Sequence, residues 1–174
     1  YRRIRYPEEE EQPSVHAIMR YTLRLLTLDQ APRLVRLIGA MNKVGCEHKE
    51  EWSELAHPFR VGMWVGSSAS PNRLEKDGIN SLSAKTLISK GHEAAISSSS
   101  RAIMFEVCPW CDSPSIKDPK NWTIGELRGR KALIGRGSPD GCLFNCDEGV
   151  PFTCVDEDIY NNPPSVLLGT ADKF

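Results

Sequence analysis

The sequence predicts an α/β fold: a parallel-sheet core interrupted by an inserted segment that carries a four-cysteine metal site. Three observations predict it. Short apolar runs and one long amphipathic stripe follow each other as strand, helix, strand within the first 70 residues. The apolar pattern then pauses from about residue 71 and returns near residue 150. Inside that gap lie two close pairs of cysteines. Parallel strands need a crossover connection, which a helix ordinarily supplies, so strand–helix–strand is the mark of a parallel unit. The chain divides on this reading into 1–70, the first part of the core, 71–149, the insertion, and 150–174, the return to the core.

Each element has its own signal. Ser14 to Arg20, after Pro13, is a short apolar run that reads as a buried strand, with His16 as a core residue. Leu28, Ala31, Leu34, Val35, Ile38, Met41 and Val44 recur every three or four residues, the stripe of an amphipathic helix, broken by Arg33 and Arg36. Thr27 with Gln30 makes a capping-box start, and Pro32 fits a helix only near its first turn. Phe59 to Val65 reads as a second buried strand ending at Gly66 and a polar loop. A helix around Leu82 to Ser89 and a linker-like tract from Ser97 to Ser100 follow. Arg101 to Val107 looks like a strand feeding the first cysteine pair, and Phe152 to Val155 and Ser165 to Leu168 like two further strands.

A chain of 174 residues that is 40% hydrophobic and 26% charged can bury a core. With 22 basic and 23 acidic residues the formal charge is −1, so no broad basic field points to nucleic acid and any such contact must be local. Arg2, Arg3 and Arg5 precede the acidic run Glu8 to Glu11, which reads as a solvated loop. No apolar run approaches the roughly 20 residues that span a bilayer, so no membrane partner is expected. The first residue is Tyr1 rather than Met and nothing resembling a secretory signal follows, so the expectation is an internal piece of a longer, cytoplasmic polypeptide.

The cysteines fall at 46, 108, 111, 142, 146 and 154, and four of them form Cys-Pro-Trp-Cys and Cys-Leu-Phe-Asn-Cys. Such gaps let two thiolates turn toward one ion about 2.3 Å away, and two pairs complete a tetrahedron. Cys108, Cys111, Cys142 and Cys146 are therefore read as one structural site for zinc. Pro109 stiffens the first turn and Gly141 frees the backbone before the second pair. Disulfides or a redox Cys-x-x-Cys share the first spacing, and an iron–sulfur cluster also uses four cysteines. Cys46 and Cys154 sit in apolar sequence and read as buried thiols.

Several motifs occur together and in order. They are Met-Arg-Tyr-Thr-Leu-Arg-Leu-Leu-Thr from residue 19, Gly-Met-Trp-Val-Gly from 62, Cys-Pro-Trp-Cys, Val-Asp-Glu-Asp-Ile-Tyr-Asn-Asn-Pro-Pro from 155 and Ser-Val-Leu-Leu-Gly-Thr-Ala-Asp-Lys-Phe at the end. The combination resembles the DrmA family, the superfamily 2 helicase of the bacterial DISARM antiphage system. The resemblance implies that the chain is most of the first RecA-like domain, carrying the motif Ia and Ib regions, with a cysteine-rich insertion. It implies DNA-backbone contacts at Thr22, Arg24, Gly66, Ser67, Thr170 and Lys173. Hydroxyls, loop amides and a few cations suit that task, because they hold phosphates without reading sequence. The partners it implies are DNA, other DISARM subunits and the remainder of the same helicase chain.

The sequence also departs from a complete motor. No Gly-x-x-x-x-Gly-Lys-Ser/Thr occurs, so the loop that cradles nucleotide phosphates is missing. ATP and magnesium then belong to the complete parent, an ATP hydrolase, and this chain is not expected to be active alone. Asp156, Glu157 and Asp158 superficially resemble a magnesium-holding acidic pair, or the acids of a metal-dependent nuclease, although an acidic turn explains them as well. A rival reading from another class is a non-enzymatic zinc-binding module that docks protein or nucleic acid.

Overall fold

A computed structural model of the chain describes residues 14–22, 29–48, 58–66, 68–75, 83–91, 101–136 and 140–170. Its elements in chain order are β1 (Ala17–Tyr21), α1 (Ala31–Glu47), β2 (Val61–Trp64), α2 (Ala84–Ser89), β3 (Trp122–Leu127), β4 (Arg130–Gly135), β5 (Phe152–Thr153), α3 (Asp156–Asn161) and β6 (Val166–Thr170). Four strands form one parallel sheet in the order β1-β6-β2-β5, and β3 and β4 form a separate antiparallel hairpin. The fold is mixed α/β with a parallel sheet, as the strand–helix–strand pattern requires.

The sheet is centred on β6 and β2. Val61 and Met63 of β2 and Leu168 of β6 are fully buried, as expected of strands flanked on both sides. Gly62 is there because a Cβ would lie 2.5 Å from Pro164 Cγ and 3.2 Å from Leu167 Cδ1. The β1-to-β2 connection runs one way across the sheet and the β5-to-β6 connection runs back. Both helices, α1 and α3, contact β2, and by the usual right hand of such connections, crossovers in opposite directions belong on opposite faces. The Trp64–Tyr160 ring contact, with centroids 6.4 Å apart, marks the α3 side.

Several expectations change. Among the described residues β1 is an edge strand; it begins at Ala17 and is largely exposed, with Ile18 57% accessible, and His16 is exposed rather than a core residue. Its apolar run identified a strand, but a strand with one neighbour buries less than one with two. The helix begins at Ala31, with Gln30 at the N-cap and no side-chain cap, and Pro32 in its first turn. Thr27, named as the cap, lies outside the described residues, as do Glu8 to Glu11 and Ser97 to Ser100. The helix expected from Leu82 is Ala84–Ser89, and Ser83 caps it by accepting from Thr86 N. Arg101 to Val107 forms no ladder among the described residues: it is an irregular stretch whose Ala102, Ile103 and Phe105 are buried in the core shared with the sheet.

The hairpin was not anticipated. Arg128 and Gly129, at φ 57 and 72, make a two-residue turn of the kind that matches strand twist. Arg-Gly lacks the Asn-Gly or Asp-Gly signature of such turns, which hid it. Residues of the middle segment, among them Cys108, Ile116, Trp122, Leu133 and Phe144, share one continuous apolar core with the sheet and α1. That segment is therefore packed into the domain, and its stability does not rest on a metal alone.

Candidate metal centre

The first cysteine pair sits on a tight turn. Asp112 N–H donates to Cys108 O at 2.9 Å and Cys108 N–H to Ser113 O at 2.8 Å. Asp112 completes the reversal in the left-handed region, at φ 58. The second pair follows Gly141, at φ 89, and Asn145 N–H closes its turn onto Cys142 O at 3.0 Å. The two turns meet through Trp110 and Phe144, whose ring centroids are 6.1 Å apart.

Between them three sulfurs converge. The Sγ atoms of Cys108, Cys111 and Cys142 all lie within 4.8 Å of one another, and Cys108 and Cys142 are 3.8 Å apart. A tetrahedral ion with sulfur ligands at about 2.3 Å separates those sulfurs by about 3.8 Å, so this spacing fits zinc. A disulfide would need about 2.05 Å, and none of the six cysteines is disulfide-bonded. Phe144 N–H also points at Cys142 Sγ, at 3.5 Å, the kind of donor that steadies a metal-bound thiolate. Cys146, the fourth residue of the expected set, stands outside the three-sulfur cluster on the exposed side of its turn. Partial loss of solvent around the sulfur pushes its thiol up, while the backbone N–H of Gly149 acts the other way.

The two remaining cysteines separate. Cys154 is fully buried as expected, its thiol pushed well up by burial and by Asp158 and Asp156 nearby. Cys46 is exposed in the last turn of α1, contrary to the buried reading.

A second set of candidates lies at the sheet's carboxyl edge. Thr22 directly follows β1, Gly66 lies two residues past β2, and Thr170 ends β6. The register sets Tyr21 opposite Thr170 and Trp64 opposite Gly169, so the three stand at the ends of adjacent strands. Gly66 O accepts from Ala69 N at 2.7 Å and Ser70 N at 3.2 Å, folding the loop back on itself. Thr170 is 7% accessible and its Oγ1 has no hydrogen-bond partner among the described residues. Arg24, Ser67 and Lys173 lie outside the described residues.

The acidic run is a short helix rather than an open metal site. Asp158 is fully buried and accepts from Arg60 Nη1 and Nη2, both at 3.3 Å, from Leu133 N at 3.2 Å and from Asn162 Nδ2 at 3.0 Å. Glu157 accepts from Leu74 N at 2.8 Å. With Asp158 and Glu157 so engaged, the magnesium and nuclease readings lose two of their three carboxylates. Arg60 was not singled out from the sequence, since an arginine inside an apolar run offers no hint of its partner 98 positions away.

No family model matches the chain. Among curated proteins it is 30% identical over 171 residues to the DISARM protein DrmA of Bacillus paralicheniformis, an alignment covering 95% of this chain. It spans 14% of that relative's length. Along nearly its whole length, then, this chain is similar to one segment of the DISARM protein DrmA.

Proposed function

We propose that the chain is a segment of the first RecA-like lobe of an ATP-dependent DNA helicase or translocase in bacterial antiphage defence, acting in the cytoplasm. It contributes contacts to a DNA backbone and a structural zinc site in which Cys108, Cys111 and Cys142, whose sulfurs converge, are joined by Cys146 from outside the cluster. The observation that carries the reading is the convergence of Thr22, Gly66 and Thr170 at the carboxyl ends of adjacent parallel strands. Ligands of parallel α/β sheets sit in the crevice at that edge. The unpartnered Thr170 hydroxyl supports it, since a buried hydroxyl without a partner costs about 1–3 kcal/mol that a phosphate oxygen could offset. Arg24, Ser67 and Lys173 complete the contact set, while nucleotide, magnesium and the other DISARM subunits are engaged by the longer parent.

The test is a longer polypeptide containing this segment. DNA-stimulated ATP hydrolysis is expected, and its absence would count against the motor reading. Arg24→Glu and Lys173→Glu should weaken single-stranded DNA binding at low salt without lowering the unfolding midpoint. Unchanged affinity removes both from the site. Zinc is tested separately: about one equivalent in a colourless protein is expected, whereas visible absorbance indicates an iron–sulfur cluster.

The near-neutral charge favours a second reading, a zinc-binding interaction module without motor function. DNA-stimulated ATP hydrolysis by the longer polypeptide decides between them, and salt shows whether such a module docks nucleic acid or protein. Backbone contacts make the logarithm of affinity fall linearly with the logarithm of salt concentration, and docking on an apolar protein surface does not.

A further inference from the structure

Helix α1 does more than connect β1 to β2, because one of its faces meets both cysteine turns. Arg36 Nε donates to Pro109 O, inside the first pair, and Arg36 Nη2 reaches Asp112 Oδ1 at 3.2 Å, one residue beyond Cys111. Three residues on, and so on the same helical face, Gly39 receives the second pair. A Cβ at that position would lie 2.6 Å from Phe144 Cε1 and 3.4 Å from Leu143 Cδ2. Both of those side chains belong to the turn between Cys142 and Cys146. Arg36 thus fixes the carbonyl and the carboxylate that frame the first turn, and Gly39 leaves the hollow that seats the second.

We infer that Arg36 and Gly39 are positioning residues of the metal centre, so that metal binding and the docking of α1 are one coupled equilibrium. The inference rests on the zinc reading above. Outer-shell groups bonded to the ligands themselves ordinarily affect metal affinity by about 10–100-fold without touching the ion, and Arg36 acts one residue further out, on Pro109 and Asp112 of the turn that carries two of them. Coupling is reciprocal: if α1 organises the thiolates, the bound ion must hold α1 in turn. The centre is then fastened to the helix that leaves the carboxyl end of β1, and not only to the segment that carries its cysteines.

The experiment measures zinc affinity of the whole chain by competition with a chromophoric chelator, together with amide exchange across residues 31–47. Arg36→Gln and Gly39→Ala should each lower zinc affinity about 10-fold or more. Arg36→Lys, which keeps the charge but not the planar fork, should fall between. Arg33→Gln is the control, one turn earlier and paired with Asp29, and should leave affinity unchanged. Removing zinc from the unsubstituted chain should speed exchange in α1. If the chain binds zinc tightly but Arg36→Gln and Arg36→Lys bind it equally well, the inference is overturned while the zinc reading stands. It is likewise overturned if exchange in α1 ignores zinc, or if Arg33→Gln weakens zinc as much as Arg36→Gln. Absence of stoichiometric zinc in the unsubstituted chain overturns the zinc reading and the inference together.

Discussion

Arg60 and Asp158 form a two-pronged ion pair, Nη1 to Oδ1 and Nη2 to Oδ2 both at 3.3 Å, with their side chains 6% and 0% accessible. The pair joins the entrance of β2 to α3, and because Leu133 N–H also donates to Asp158, it fastens the β3–β4 hairpin to the sheet. Taking two charges out of water is costly, so such a pair is sound only while complete.

Removing one partner therefore leaves a stranded charge. Asp158→Ala is expected to destabilise the chain by about 3–5 kcal/mol, measured by urea unfolding. Arg60→Met combined with Asp158→Leu should cost less than the sum of Arg60→Met and Asp158→Leu taken alone. Additive losses would show that the two side chains do not act as a pair.

Glu75 predicts an acid limb. Hydrogen bonds and charge from Lys131 and Lys85 lower its carboxyl from the ordinary 4.5 to about 2. Its folded value lies below its unfolded one, so its contribution is complete above about 4.5 and is lost as pH falls toward about 2. The group is partly solvated, so salt should diminish the effect. An NMR titration of the Glu75 carboxylate should show its midpoint near the low end of that window. A midpoint at the ordinary value would mean that the lysines do not hold it in solution.

Two glycines should respond differently to alanine. Gly141, at φ 89, has nothing among the described residues within 4 Å of a prospective Cβ, so Gly141→Ala should cost only the left-handed backbone term, about 1–2 kcal/mol. Gly149, at φ 66, would also place its Cβ 2.4 Å from the Gly135 carbonyl oxygen. Gly149→Ala should therefore lower the thermal midpoint distinctly more than Gly141→Ala. Equal shifts would show that the Gly149–Gly135 approach is not tight.

Thiol chemistry separates the cysteines outside the pairs. Cys154, fully buried with its thiol pushed well up, should resist iodoacetamide at neutral pH until the chain unfolds. Exposed Cys46 should be alkylated in the native protein. Peptide mapping reads both sites, and early modification of Cys154 would mean that the centre of the sheet layer opens readily.

Local pattern determined much of this protein. The periodicity from Leu28 to Val44 located α1, the apolar run at Phe59 to Val65 located β2, and strand–helix–strand order implied parallel pairing. Close spacing made Cys108 and Cys111 candidates for one ion, because a turn of that length leaves two sulfurs little choice of direction. Tertiary structure decided what depends on distant neighbours. It made β1 an edge strand and exposed His16, since burial depends on how many strands flank a run and not on its composition. It committed Asp158 to Arg60 across 98 positions, brought Cys142 to Cys108 and left Cys146 outside the cluster. It also set Arg36 and Gly39 of α1 against the two cysteine turns. Periodicity and turn chemistry act over a few residues and can be read along the chain, whereas partners separated by tens of positions are chosen only when the chain closes on itself.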